Sequence, residues 1–400
     1  MSQELTGSVI DKQTREPVSF ANIFFANTLT GTTSDLDGNF RLTGFEAGKY
    51  DLVVSFVGYE DAVIPLDFEA GQKRELLVEL KTDLIELPEF YLNADTAGRR
   101  YNMLSFVELF LGTTPNSQQV KILNPDVIFL YYDIEEEVLY AHSKEPLEID
   151  NQALGYTITY LMKDFRMNYK TGEFFSFGIP AFKEKQPKSK KEMKIWIRNR
   201  EEAYNGSKTH FFKSLSSDSL SENLFATRQL YRNPNPNRPP DEVINSEWRR
   251  LQRLFREELK KNTNGDIQVS IGGDISLNSS GSVFRDSLDY WKRMRQLPYY
   301  VDSLGMGIQK KEDLVKDNQT IYTGLLQVQY TGEKEELTYA KRKGREQRDS
   351  KQTSVIHFLD LLTIYPNGYY EDIRNVFIEG YWSWSSSMSE LLPLDYEPAE

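Results

Sequence analysis

The chain has 400 residues, a formal net charge of -12 at pH 7, and 39% hydrophobic and 27% charged residues. This length indicates two or three domains, and the composition is typical of globular proteins with sizeable cores. The acidic balance argues against a general nucleic-acid binder. The absence of cysteine excludes disulfides, thiolate nucleophiles and cysteine-ligated zinc. No run of 18 apolar residues occurs, so the sequence predicts no membrane-spanning helix.

Residues 5–81 alternate short apolar runs with turn residues, which is typical of an antiparallel β-sandwich. The predicted strands are Leu5–Ile10, Phe20–Ala26, Gly38–Leu42, Tyr50–Phe56, Ala62–Leu66 and Leu76–Leu80. Between two of them, Asp35 and Asp37 resemble part of a calcium loop. A full loop needs more oxygen ligands than this segment offers, so we favour a hairpin turn at Gly38.

The next part of the chain predicts a linker over residues 83–98 and then a β-rich domain with a leading helix over residues 99–185. Thr82–Asn93 is predicted as a strand or linker, and apolar residues at helical spacing predict a helix over Arg99–Leu111. The predicted strands of this domain are Val127–Tyr132, Val138–His142, Tyr156–Phe165 and Glu173–Phe177.

Residues 186–265 are predicted to be mostly helical, and residues 266–400 to form a β-rich C-terminal region. The predicted helical regions are Trp196–Leu230 with a break at Ser214–Ser221, then Ser246–Lys261 and, in the C-terminal region, Phe284–Tyr300. The predicted C-terminal strands are Ile267–Ile271, Ile321–Tyr330, Val355–Tyr365 and Val376–Trp384, with a hairpin turn at Asn367-Gly368. The fold class is therefore mainly β with some helices (α+β).

The segment Lys183–Arg200 is basic, with eight Lys or Arg residues against two Glu residues and one Trp. Such a segment can face an acidic partner, anionic lipid headgroups or nucleic-acid phosphates. It can also be a solvated connector, or it can dock on the acidic N-terminal sandwich. The candidate partner-binding residues are Lys188, Lys190, Lys191, Lys194, Trp196, Arg198 and Arg200.

Sequence motifs for catalysis are sparse. His142 and Glu145 have the His-x-x-Glu spacing of two zinc ligands, but a third ligand in a recognisable context is missing, since only His210 and His357 remain. Nucleophile-elbow, P-loop and His-Glu-x-x-His motifs are absent from the sequence. We therefore expect no enzyme activity and no metal or other cofactor.

Several N-terminal motifs occur in the order typical of the carboxypeptidase-regulatory-like domain. They are the Gly7-Ser-Val-Ile-Asp11 opening, Pro17-Val18 with Ala21 and Ile23, the Asp37-Gly38-Asn39-Phe40 turn, and Gly58-Tyr59. The chain resembles this family over about its first 80 residues, which we delimit as a domain over residues 1–82. The resemblance implies a seven-stranded transthyretin-like sandwich that serves as a non-catalytic spacer or interaction module.

The resemblance extends to exported proteins of the Bacteroidetes, in which this domain often follows a cleaved signal peptide or precedes a TonB-dependent plug and barrel. The remainder of the chain is too short for a plug and barrel. Instead, Phe106–Phe165 and the tail from Gly380 to Tyr396 resemble the uncharacterised region of standalone exported proteins. The resemblance thus implies a mature protein whose signal peptide has been removed, located in the periplasm or at the outer membrane.

These observations predict a non-catalytic interaction or scaffold protein, an accessory subunit of an outer-membrane complex for assembly or uptake. Its expected partners are outer-membrane proteins. We expect it to bind no nucleic acid and to have no transmembrane segment of its own. One alternative is a carbohydrate-binding protein that presents Tyr381, Trp382 and Trp384 as a glycan platform. A second is a metal-dependent hydrolase that uses His142 and Glu145. Nucleic-acid binding would rest on Lys183–Arg200 alone.

Overall fold

The computed structural model of the protein describes residues 3–83, 96–261, 267–269, 275–277, 282–308, 310–346, 350–371 and 373–398. It divides into two compact units. The first comprises residues up to Thr227 together with Ile308 onwards, and the second comprises Arg228–Gly307. The predicted strand or linker over Thr82–Asn93 lies almost entirely outside the described residues.

The N-terminal part of the first unit is a sandwich of two sheets, with three strands in one sheet and four in the other. The strands are β1 (Glu4–Asp11), β2 (Asn22–Phe25), β3 (Gly31–Thr33), β4 (Asn39–Thr43), β5 (Gly48–Ser55), β6 (Ala62–Phe68) and β7 (Lys73–Leu80). In the first sheet, β1 lies between antiparallel β4 and parallel β7. The second sheet has the order β3-β2-β5-β6. The seven-stranded sandwich is as predicted, with β3 as an additional short strand.

Alternating side chains from both sheets fill the sandwich core. Leu5, Ile23 and Leu52 are completely buried in it, because successive residues of a strand point to opposite faces. Between β3 and β4, one carboxylate oxygen of Asp35 accepts hydrogen bonds from the backbone N–H groups of Asp37, at 3.0 Å, and Asn39, at 2.8 Å. This Asp35 carboxylate therefore closes a turn at Gly38, but the turn is not the predicted hairpin, because β3 and β4 belong to different sheets.

A helix and a six-stranded sheet follow. They are α1 (Thr96–Leu111), β8 (Val120–Ile122), β9 (Ile128–Asp133), β10 (Val138–Ser143), β11 (Leu147–Asn151), β12 (Tyr156–Asn168) and β13 (Phe174–Glu184). The long strand β12 pairs with β13 on one side, and on its other side with β11 and then β10. The apolar face of α1 covers this sheet, and the rings of Phe106 and Phe165 lie 4.7 Å apart.

The chain then forms α2 (Lys190–Tyr204), α3 (Lys208–Ser216) and β14 (Phe225–Pro234), the last of which continues into the second unit. The predicted helical block over Trp196–Leu230 contains two helices, and its end is wrong, because helical structure stops at Ser216 within the predicted break. Helix α2 begins earlier because the Ser189 hydroxyl accepts a hydrogen bond from the Glu192 N–H and caps it. Residues from Phe225 onward form a strand, since Phe225 and Thr227 alternate with less buried residues.

The second unit contains α4 (Asp241–Lys261), β15 (Ile267–Val269), β16 (Ile275–Leu277), α5 (Ser282–Gln296) and most of β17 (Tyr300–Ile308). Strands β15 and β16 are antiparallel. The pattern of apolar residues predicts α4, although it places the start at Ser246 and the helix begins at Asp241. The predicted helix Phe284–Tyr300 is too long, because the chain leaves the helix before Pro298 and Tyr300 opens a strand.

The remaining elements return to the first unit. They are β18 (Val315–Lys316), β19 (Gln319–Thr320), β20 (Gly324–Lys334), α6 (Leu337–Arg342), β21 (Lys351–Phe358), β22 (Val376–Gly380) and α7 (Tyr381–Ser385). Strands β20, β21 and β22 pair in antiparallel order. The predicted strand Val376–Trp384 is wrong after Gly380. There the chain turns into α7, and the Trp382 N–H donates to the Ser354 hydroxyl at 3.0 Å.

Candidate functional site

Helix α2 divides the candidate partner-binding residues into a buried and an exposed group. Trp196 and Arg200 are buried, with 6% and 9% of their surface exposed. The other five face solvent, namely Lys188, Lys190, Lys191, Lys194 and Arg198. The structure therefore places the exposed cations together, with Lys188 just before α2 and the others on the helix. Trp196 and Arg200 are not part of that surface. We call these five residues the basic surface.

The two buried residues fasten α2 to the β11–β12 turn. The Trp196 indole N–H donates to the carbonyl of Gln152 at 2.8 Å, and the Arg200 Nε donates to the carbonyl of Leu154 at 2.7 Å. The Arg200 guanidinium also lies 4.1 Å from the ring centroid of Tyr156. Because this side of α2 packs against the turn, the opposite side of the helix faces solvent and carries the basic surface.

A second feature is the attachment of the sandwich to the rest of the first unit. Phe24 and Val53 on the outer face of the sandwich are buried against Leu161 and Ile179, which belong to β12 and β13. The Asn27 N–H donates to the carbonyl of Pro180 at 2.9 Å. These contacts make the sandwich an integral part of the first unit.

The C-terminal tail crosses this same junction. The Leu394 N–H donates to the carbonyl of Asn27 at 2.7 Å, and the Leu29 N–H donates to the Asp395 carboxylate at 3.2 Å. Further back in the tail, the Asn151 side-chain amide donates to the carbonyl of Ser389 at 3.1 Å. The tail thus joins the sandwich to the six-stranded sheet.

Between the sandwich, the tail and the loop that follows β21 lies a cleft of about 240 Å³. Its sandwich wall comes from the β2–β3 turn, β5 and β6, and its opposite wall is a tight hairpin over residues 364–370. The lining residues are Ala26, Asn27, Thr28, Lys49, Tyr50, Asp51, Pro65, Leu66, Asp67, Tyr365, Asn367, Tyr369, Glu371 and Leu394. We call this space the junction cleft.

Hydrogen bonds hold the acidic side chains of the junction cleft. The Tyr365 hydroxyl donates to Glu371, and the Tyr369 side chain is hydrogen-bonded to Asp51. Burial, followed by the negative charge of Glu371, raises the pKa of the Asp51 carboxyl above its usual range. The Lys49 ammonium lies 5.6 Å from the Tyr365 ring centroid. The two walls therefore already contact each other through polar and cation–π interactions.

The Asn367-Gly368 turn sets the position of the hairpin wall. Gly368 has a φ of +82°, and a Cβ at this position would lie 2.9 Å from the carbonyl oxygen of Thr209 in α3. The turn thus needs glycine both for its backbone conformation and for its close approach to α3. The sequence predicts this turn correctly, but the junction cleft itself was missed, because the sequence carries no signal that joins β5 to a hairpin so far along the chain.

The histidines of the proposed hydrolase lie in three separate elements, with His142 on β10, His210 on α3 and His357 on β21. The His210 Nδ1 accepts the N–H of Gly206 at 3.1 Å, and its ring stacks on Tyr204 at 4.8 Å. Burial lowers the pKa of His210. Within the described ranges, no group of three His, Cys, Asp or Glu residues could hold a metal ion.

The proposed glycan platform is buried. Tyr381, Trp382 and Trp384 are 6%, 2% and 7% exposed, and they belong to the core beneath β20 and β21. The Trp382 indole N–H donates to the carbonyl of Gly206 at 2.7 Å, and that of Trp384 donates to the Thr113 hydroxyl at 3.0 Å. These rings therefore contribute to folding and present no surface to a glycan.

Comparison with known proteins confirms the class of the N-terminal domain. Residues 5–92 match the family model of the CarboxypepD_reg-like domain. The chain is also 32% identical over 126 residues to the TonB-dependent receptor SusC of Bacteroides thetaiotaomicron. That match covers 30% of this chain and only 12% of the receptor.

Two solved structures show limited similarity. The group B streptococcus pilus 2b backbone protein is 18% identical with a TM-score of 0.18, over 20% of this chain and 41% of that one. A DUF3823 family protein from Bacteroides ovatus is 10% identical with a TM-score of 0.18, over 46% of this chain and 81% of that one. Scores this low support no conclusion about the present fold. No helix in the described part of the chain is long and apolar enough to cross a membrane.

Proposed function

We propose that this protein is a non-catalytic interaction protein of the bacterial envelope, an accessory partner of an outer-membrane protein in assembly or uptake. The observation that carries the proposal is the arrangement of α2. Trp196 and Arg200 fix the helix on the β11–β12 turn, and five exposed cations occupy its free side and its entry. A fixed row of cations on a protein of net charge -12 is suited to an acidic partner surface.

The location in this proposal rests on the N-terminal domain. The CarboxypepD_reg-like match and the partial identity to a TonB-dependent receptor favour a Bacteroidetes envelope protein, in the periplasm or at the outer membrane. The tight attachment of the sandwich to β12 and β13 supports a role in positioning the remaining chain. Neither the carbohydrate platform nor the zinc-dependent hydrolase has a specific observation in its favour.

The proposal is tested by affinity purification of the tagged full chain from detergent-solubilised outer membranes. We expect one outer-membrane protein to co-purify with the wild type, and the triple variant K190E/K191E/K194E to recover at least about tenfold less of it. The matched control is K316E/K334E/K341E, which reverses three exposed lysines elsewhere in the first unit. Equal recovery with both variants would remove the basic surface from the proposal, and a protein found only in the cytosol would overturn it.

A further inference from the structure

The junction cleft has the size of a small-ligand site. Its volume of about 240 Å³ lies just below the range of about 300–1,000 Å³ that is usual for drug-sized ligands. A ligand of one ring fits this volume better than an extended molecule. All lining residues belong to the first compact unit.

Its lining combines apolar and polar groups. Ala26, Pro65 and Leu394 contribute apolar surface, and Pro65 lies on the outward face of β6. Asp51 and Glu371 contribute carboxylates. The polar part of the lining is completed by Asn27, Thr28, Lys49, Asp67, Asn367 and three tyrosines. Apolar walls with a small number of placed polar groups are typical of sites that bind small organic molecules.

The charges of the junction cleft exclude whole classes of ligand. Three carboxylates, of Asp51, Asp67 and Glu371, face one ammonium, of Lys49, so the lining carries an excess of two negative charges. This charge repels phosphates, nucleotides and acidic sugars. Among the residues that the structure describes, these carboxylates form no group of three that could hold a metal ion.

The carboxylates of Asp51 and Glu371 are held in position but retain hydrogen-bonding capacity. Tyr365 donates to Glu371 and Tyr369 is hydrogen-bonded to Asp51, whereas an ionised carboxylate offers about four acceptor sites. Hydroxyl groups of a ligand can therefore donate to both. Such bonds would also favour the ionised form of Asp51, whose pKa is raised by burial and by Glu371.

We propose that the junction cleft binds one uncharged sugar ring, with its C–H surface against Pro65 and Leu394 and its hydroxyls donating to Asp51 and Glu371. The site is separate from the buried aromatic residues of α7. It goes beyond the proposed function and does not depend on the basic surface. The sugar is either a free monosaccharide or the end of a longer glycan, because the two present the same hydroxyl chemistry.

The test is calorimetric titration of the full chain with glucose, galactose, mannose and N-acetylglucosamine. We expect at least one to bind, and E371Q to weaken that binding about tenfold, since a hydrogen bond to a charged group is lost. Glu371 is exposed at the cleft edge, so the variant is expected to fold. The control is E75Q, which changes an exposed glutamate on β7 outside the cleft. Oligosaccharides of the same sugar distinguish a free monosaccharide from the end of a longer glycan as the natural ligand. If the ligand is the end of a glycan, the oligosaccharide should bind more tightly than the monosaccharide.

Three results would overturn the proposal. The first is the absence of binding by every sugar at millimolar concentration. The second is equal affinity in E371Q and E75Q. The third is a strong preference for glucosamine over glucose that disappears in high salt, because this would show that the cleft recognises an ammonium group and not a neutral ring.

Discussion

The backbone N–H of Leu29 donates to the carboxylate of Asp395, at 3.2 Å from each oxygen and 366 residues away in sequence. This bond and the adjacent one from Leu394 to Asn27 connect the C-terminal tail to the β2–β3 turn of the sandwich. The N-terminal domain and the tail therefore stabilise each other. The junction cleft lies beside these bonds, with Asn27 and Leu394 in its lining.

Replacing Asp395 with alanine tests the contribution of the tail. The variant D395A leaves the Leu29 N–H without its acceptor, so we expect the free energy of unfolding to fall by about 1 kcal/mol. Denaturant unfolding of the full chain measures this change. The control D313A removes an exposed aspartate in a 3-10 helix and should change stability by less than about 0.5 kcal/mol. Equal effects would show that the tail is not held by this bond.

Substitution of Gly155 tests the attachment of α2 to the β11–β12 turn. It has a φ of +72°, and a Cβ there would lie 2.3 Å from the Trp196 ring. We expect G155A to lower the free energy of unfolding by about 2–4 kcal/mol, because backbone strain adds to the displacement of Trp196. The matched control is G172A, where φ is +76° and no atom lies within 4 Å, so only strain of about 1 kcal/mol remains. Similar losses in both variants would contradict the close contact.

Variants at Arg200 and Lys190 compare a buried residue that attaches α2 to the β11–β12 turn with an exposed residue of the basic surface. R200A removes hydrogen bonds to the carbonyls of Leu154 and Gly155 and should lower the free energy of unfolding by about 1–3 kcal/mol. K190A removes an exposed ammonium and should change it by less than about 0.5 kcal/mol. Thermal unfolding of the two variants side by side measures the difference. A Lys190 effect as large as that of Arg200 would mean that the basic surface is structural.

The buried His210 leads us to expect that the stability of the protein depends on pH. Burial lowers its pKa in the folded chain, whereas an unfolded histidine titrates near about 6.5. Below this pH the unfolded chain takes up a proton that the folded chain excludes. The contribution of His210 to the free energy of unfolding is therefore fully present above about pH 6.5, and it is lost as the pH decreases towards the lowered pKa.

The variant H210N tests this pH dependence, because asparagine can still accept the Gly206 N–H while it does not titrate. We expect it to be less stable than the wild type at pH 7.5 but to lose less stability between pH 7.5 and 5.5. The control T209A changes a neighbouring residue of α3 that does not titrate, and it should retain the wild-type slope. An unchanged slope in H210N would show that another group is responsible.

Local sequence signals predict much of this fold and little of its sites. The turn at Gly38 and the helix α1 follow from short patterns, and both are present. Strand β3 is three residues long, too short for an alternating pattern to reveal. Trp196 looks like an exposed binding residue among lysines, yet it is buried because its partner is a distant turn at Gly155. The junction cleft depends on contacts between Asp51 and Tyr369, which no local pattern encodes.

Chemical cross-linking of intact outer membranes, followed by mass spectrometry, tests the proposed function most directly. Lys188, Lys190, Lys191 and Lys194 all bear reactive, exposed ammonium groups. We predict that these lysines cross-link to acidic segments of one outer-membrane protein, more often than Lys316, Lys334 and Lys341 do. Cross-links spread evenly over all exposed lysines, or confined to copies of this chain, would contradict the account.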